Sequence, residues 1–341
     1  MMKKVVTMGE IMLRLSTPGH ERFNQAQIFD VHYGGGEANV AIGLSQLGVN
    51  SSFVSKLPDN ALGTSAAEFL NRYGVETEHM LFGGERIGIY FLEKGYSIRP
   101  SKIIYDRSGS AFAESKTSEY DFAKIFEDAD WFHISGISPA LNEEVFQLTR
   151  RALSTAKQLG VTTSCDLNYR SSLWSFEEAR WKMTELMKDV DVCIGVEPLQ
   201  LLDGEGKDLK DQLLPEQPGP EDYKEIMKIM HERFGVHYIA MTYRNQLSVN
   251  RHCLKALLSD GTEFYQSSEI DVDIVDRVGT GDAFSTGLIY SLLNQTEPQA
   301  AVDFATACFA LKHTVEGDAN LLSFSEVEQF VKHKNSFSIK R

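Results

Sequence analysis

No stretch of this 341-residue chain comes near the roughly 20 consecutive apolar residues that a helix needs to cross a bilayer. Cysteine is scarce. The four present (Cys165, Cys193, Cys253 and Cys308) are scattered, with no Cys-x-x-Cys pair and no zinc-like spacing with histidine, so the pattern argues for reduced thiols rather than a disulfide framework. Basic residues are in the minority, 34 against 48 acidic ones, and the resulting net charge of −14 argues against a nucleic-acid binder. A leader is not evident either. "MMKKVVTMGEIML" sets two lysines before an apolar run, but Glu10 interrupts it and no small-residue cleavage site follows. These absences predict a cytoplasmic protein with neither a membrane nor a nucleic-acid partner.

Two common phosphate-binding signatures are missing as well. G-x-x-x-x-G-K-[ST] does not occur, and G-x-G-x-x-G fails at Phe284 in one glycine cluster and at Asn39 in the other. A P-loop enzyme and a nicotinamide oxidoreductase are both disfavoured.

What is present is enough apolar material for a large core, 42% of residues, arranged with a regular alternation. "KKVVTMG", "SSFVSKL", "ADWFHISGI", "VTTSCDLN", "DVCIGV" and "HYIAMT" read as strands. Helical patterns such as "NALGTSAAEFLNRYGV" and "EEVFQLTRRALSTAKQLG" fall between them, which predicts an α/β protein with a mostly parallel sheet flanked by helices. "RIGIYFLEKGYSIRPSKIIYDRSG" breaks the rhythm as two strands with a turn; with residues from about 11 to 33 it would form a small separate sheet. "DGEGKDLKDQLLPEQPGPEDY" reads as a surface excursion, "NSFSIKR" as a polar tail, and Glu269, Asp271 and Asp273 as a solvated strand face.

Two glycine turns each open a helical pattern: "GGGEAN" from Gly34 and "DRVGTGDAF" from Asp276. In the second, Asp282 can be read as a helix N-cap, or as a proton acceptor beside N–H groups aimed at an anion. In this order on an α/β background, the pair resembles the N- and C-terminal signatures of the ribokinase-like (PfkB-type) sugar kinases, over about residues 3 to 331. "MGEIMLRLS", "YDRSGSA", "DLNYRSSLW" and "VDRVGTGD" look more narrowly like the 2-keto-3-deoxygluconate kinases.

The resemblance implies a single ribokinase-like domain over residues 1–341, a three-layer fold with a small β-sheet lid from about 11–33 and 86–108. It implies ATP-dependent phosphorylation of the C6 hydroxyl of 2-keto-3-deoxygluconate, with Mg2+. Gly279, Thr280 and Gly281 would meet the γ-phosphoryl group and Asp282 would take the hydroxyl proton. Gly34, Gly35, Asn39, Tyr90, Tyr105, Arg107, Asn168, Arg170 and Asp318 would hold the sugar acid. Arg107 and Arg170 suit its carboxylate because guanidinium presents a planar fork of donors. On the nucleotide side it implies Glu197, Thr242, Arg244, Gly279 and Gly281. There the family's Asn-x-x-Glu reads "VEPL", with Val196 and Leu199 at the usual polar positions, leaving Glu197 as the nearby carboxylate for a water-held metal. The plain readings stand beside these: Tyr90 packing in a strand, Arg170 pairing with Asp166, Arg244 as an exposed turn residue. The lid also implies a homo-oligomer built on lid-paired dimers, with Ile87, Ile89 and Phe91 on the face away from ligand. A fructokinase, a 5-dehydro-2-deoxygluconokinase, or a catalytically weak sugar-acid-binding protein are the competing readings.

Overall fold

The computed structural model describes residues 3–332; the tail "NSFSIKR" lies outside them. Among the described residues the main sheet has nine strands. Its order is Phe264–Gln266, Arg251–Ser259, Tyr238–Ser248, Val192–Ile194, Thr162–Asp166, Trp131–Ser135, Lys4–Met8 and Asn50–Val54, with Ile270–Asp273 pairing a second stretch of Arg251–Ser259. From Tyr238–Ser248 to Asn50–Val54 every pairing is parallel.

Strands in such a sheet are buried on both faces, and period-2 alternation sends neighbours to opposite cores. Val6, Met8, Phe132 and Ile134 pack with the helices Glu143–Gln158, Phe176–Leu186 and Tyr223–Phe234. Val5, Trp131, Val192 and Ile194 face the other side, against the helices Gly36–Gln46, Thr280–Leu293 and Pro298–Lys312. The result is the predicted three layers. The helix Gly36–Gln46 is buried along nearly its whole length, because it lies between the sheet and Thr280–Leu293.

"HYIAMT" is only the start of an 11-residue strand that turns at Val249 and Asn250 and returns antiparallel as Arg251–Ser259. Thr242 to Arg244 therefore lie inside a strand, not in a turn after it. The predicted excursion after Leu202 carries a short helix, Leu209–Leu213, anchored where Arg180 pairs with Asp208 and Lys210 with Glu197.

A second sheet runs Asp30–Gly34, Met12–Ser16, Gly88–Glu93 and Lys102–Asp106. Its register aligns His32, Arg14, Tyr90 and Tyr105 in one row and Val31, Leu15, Phe91 and Ile104 in the next, on the opposite face. Val31 and Ile104 are more than half exposed. Ile87, in contrast, is buried just before the strand with Leu57 and Ala66, so it is core rather than free face. The turn joining the last two strands rests on the tip of the long hairpin, where Val249 N donates to Ser97 O at 3.1 Å. No described helix is long and apolar enough to cross a membrane.

Candidate active site

A cavity of about 750 Å³ opens between the small sheet and the edges of the parallel strands. A second, of about 380 Å³, shares Asp166, Asn168, Thr242, Arg244 and Gly281 with it, so the two form one cleft. Along its floor lies the start of the helix Thr280–Leu293. Gly279, not Asp282, is the N-cap, and Asp282 is the third helical residue with no capping bond. The N-cap reading of Asp282 is thereby corrected: its carboxylate faces the cleft. The N–H groups of this first turn have no partner within the helix and carry the positive end of its dipole.

Why glycine stands at 279 is visible in the packing. Its φ is +75°, and a β-carbon there would sit 1.8 Å from the backbone oxygen of Asp318. At Gly281 a β-carbon would meet nothing within 4 Å, only the cleft.

Asp282 Oδ2 accepts a 2.7 Å hydrogen bond from Asn39 Nδ2, while Asn39 Oδ1 is buried without a partner in a residue that lines the same cavity. Burial pushes the Asp282 carboxyl up to about 6, against the pull of Asn39 and the charge of Arg170. Asp166, at the end of its strand, is raised to about 7 by burial and by the charge of Asp282. Asp166 was missed as a site residue; its position at a strand's C-terminal end was the available signal. Nearby, Glu37 is fully buried and pushed to about 7 by burial, accepting from Ser135 N and the hydroxyls of Ser135 and Ser138. Its place in "GGGEAN" was legible, its role in holding the turn to the sheet was not.

Of the implied sugar-binding residues, Gly35, Asn39, Tyr90, Tyr105, Asn168, Arg170 and Asp318 line the larger cavity. Tyr90 is buried but not merely packed, since its hydroxyl bonds Asp318 Oδ2. Arg170 makes no ion pair with Asp166 among the described residues; it is exposed, bonds the carbonyl of Tyr169 at 3.1 Å, and its charge lowers both Asp166 and Asp282. Gly34 lies beneath the Asp318 carboxylate, where a β-carbon would approach Oδ2 to 2.0 Å. Arg107 departs from expectation. It is buried outside the cavity lining, its guanidinium on the Glu10 carboxylate, which also takes the Ser110 hydroxyl. A buried carboxylate needs a cation, and Glu10 has claimed this one.

On the nucleotide side, Thr242 and Arg244 line both cavities and Glu197 the smaller. Arg244 is no exposed turn residue: it reaches Thr280 Oγ1 at 3.4 Å from mid-strand, and its Nε is buried without a partner. Burial and the nearby Arg277 push it down to about 10. Glu197 is paired with Lys210 at 2.6 Å, and Val196 and Leu199 are buried in the core. Among the described residues no group of three His, Cys, Asp or Glu could hold a metal ion. The strand face of Glu269 and Asp271 is laced to Lys255 and Arg251, as a solvated edge would be.

A 2-dehydro-3-deoxygalactonokinase of Haloferax volcanii is 34% identical over 336 residues, 97% of this chain and 98% of that protein. A 2-dehydro-3-deoxygluconokinase of Bacillus subtilis is 28% identical over 328 residues, 94% of this chain and 93% of that one. The crystal structure of the 2-dehydro-3-deoxygluconokinase of Thermotoga maritima superposes with a TM-score of 0.90 at 42% identity, covering 97% of this chain and 99% of that one. Residues 2–198 and 255–324 match the pfkB family carbohydrate kinase model, and with its fold and glycine turns in place the chain belongs to the pfkB family of carbohydrate kinases.

Proposed function

We propose that this kinase transfers the γ-phosphoryl group of ATP, with Mg2+, to the C6 hydroxyl of 2-keto-3-deoxygluconate (2-dehydro-3-deoxygluconate). The observation that carries the reading is the meeting of Asp282, the helix N-terminus and Arg170 in one cavity. The Asp282 carboxylate takes the hydroxyl proton as the sugar oxygen bonds to the γ-phosphorus and the bond from phosphorus to the bridging oxygen of ADP breaks. A base whose pKa lies near 6 is ionised at neutral pH yet basic enough to help. N–H groups at Thr280 and Gly281 meet the charge on the phosphoryl oxygens.

Arg170 and Tyr105 would hold the substrate carboxylate, and Asn39 Oδ1 and Asp318 would accept from hydroxyls. Arg107 would act at one remove, tying its strand to Glu10. The residues suit a metal that arrives with the triphosphate, held by phosphates and water, since Mg2+ keeps most of its water shell. Glu197 would contribute only through water, in competition with Lys210. Free cysteines support a cytoplasmic location, and the apolar row in which exposed Val31 and Ile104 flank half-buried Leu15 and Phe91 supports a homodimer through paired lid sheets, around one domain with its lid near 11–33 and 86–108.

A turnover screen with ATP and Mg2+ tests the reading, using 2-keto-3-deoxygluconate, its galactonate-derived epimer, fructose and ribose. The sugar acids should be preferred, and Arg170→Ala should lose that preference. Faster turnover of a neutral sugar would sink it.

A further inference from the structure

Arg14 lies on the small sheet, is wholly buried, and uses every arm of its guanidinium. Nη1 donates to Asp318 Oδ1 at 2.6 Å, Nη2 to Asp276 Oδ2 at 2.7 Å, and Nε to Ser16 Oγ at 2.6 Å. Its two carboxylates have different duties. Asp318 faces the cavity and also receives the Tyr90 hydroxyl. Asp276 opens the glycine turn: Oδ1 accepts from Val278 N at 3.1 Å and Oδ2 from Gly317 N at 3.2 Å. Three residues on, Gly279 packs its α-carbon against the Asp318 backbone oxygen. A second buried cation, Lys312, holds the loop that carries Asp318, donating to Gly317 O at 2.7 Å and Val315 O at 3.0 Å.

We propose that Arg14 is a positioning residue for phosphoryl transfer, coupling the sugar-facing carboxylate of Asp318 to the anion turn through Asp276. The proposal rests on the reading above that the small-sheet side of the cavity holds the sugar. A planar guanidinium that donates from one terminal nitrogen to each carboxylate, with its Nε held by Ser16, transmits a displacement of Asp318 to Asp276, which an ammonium on a flexible stem does not. Stability alone is a weak reason for the cluster, because buried ion pairs are often no more stabilising than apolar packing of similar volume. With Asp276 fixed, the N–H groups of Thr280 and Gly281 stay aimed where the phosphoryl group must pass. A misplacement of about 1 Å in such a site can cost about 100-fold in rate.

Arg14→Lys and Asp276→Asn test this by two routes; with its amide oxygen in the Oδ1 place, Asp276→Asn keeps the bond from Val278 N and breaks the one from Arg14, and it stands alone should Arg14→Lys fold poorly by circular dichroism. Steady-state kinetics with 2-keto-3-deoxygluconate and ATP are combined with calorimetric sugar binding, with and without a non-hydrolysable ATP analogue. Both variants should lose at least about tenfold in kcat, toward the about 100-fold that a misplacement of about 1 Å can cost. They should bind sugar normally without nucleotide and lose the mutual strengthening of the two ligands. Wild-type kcat in a folded variant, or a loss confined to the sugar KM, would overturn the coupling role. Asp318→Asn separates the underlying reading. If it binds sugar as wild type does, the sugar placement fails, while a kcat loss in the other two variants still reports the hold of Arg14 on the turn.

Discussion

Replacing Asp282 by Asn removes one charge and almost nothing else. Gly279 is the N-cap, so the helix start is untouched, and an Asn oxygen can still accept from Asn39 Nδ2. The chemistry should suffer, since losing a general base costs about 10²–10⁴-fold in kcat. Stability should move the other way. A carboxyl raised from 3.8 to about 6 favours the protonated folded state, so its stabilising effect is complete below pH 4 and lost as pH rises through 6. At pH 7.5 the ionised group therefore costs up to about 3 kcal/mol, reduced by screening from water in the cleft. Asn abolishes that cost and also relieves Asp166, whose carboxyl Asp282 pushes up. The variant should melt several degrees above wild type at pH 7.5, with the difference vanishing near pH 4. An ADP-coupled assay and melting curves across that pH range check both halves. Near-normal kcat would refute the base assignment. A lost kcat with a lowered Tm would reduce it to a folding defect.

Asn39→Ala removes the donor that favours ionised Asp282, so the acid limb of the kcat/KM profile, which falls as pH drops through about 6, should shift to higher pH. A limb that stays in place would mean that Asn39 acts only on the sugar. Gly281→Ala adds a methyl that meets nothing in the fold and gains about 1 kcal/mol of helix propensity, yet it intrudes on the phosphoryl path. The variant should be more stable and much less active, and unchanged kcat/KM for ATP would show the path lies elsewhere.

How much of this was readable in the sequence follows the reach of each interaction. The parallel layers came from local periodicity, and both glycine turns from side chains that are absent. Asp282 was found because its neighbours along the chain announced it. The antiparallel return at Val249 was not, because "HYIAMT" has the same pattern whether its strand stops or continues. Arg14, Asp276 and Asp318 come together across 262 and 304 positions, and no window of sequence contains such a pair. Arg107 shows the same limit from the other side. Its chemistry suits a carboxylate, and it holds one, but the partner is Glu10 of this chain, 97 residues away.

Arg244 joins these threads. It is a desolvated cation with one 3.4 Å hydrogen bond, the ring of Phe309 at 5.4 Å, and no carboxylate partner among the described residues. A fold under no other demand would place an apolar side chain there. Burial lowers its pKa from the ordinary guanidinium range to about 10, which means that charged Arg244 costs the folded state up to about 3 kcal/mol at any pH well below 10. An anion entering the cleft removes that cost, and charge-assisted hydrogen bonds of this kind contribute about 1.5–3 kcal/mol. Arg244→Met should therefore raise the Tm of the free protein, raise the KM for ATP by about 10- to 100-fold, and shrink the thermal shift that ATP produces. Lys at this position should recover only part of the ATP affinity, since a point charge lacks the guanidinium fork. A higher Tm with an unchanged KM would show that the triphosphate never reaches Arg244. A lower Tm would show that Phe309 and Thr280 already hold the cation well, leaving the anion nothing to repair.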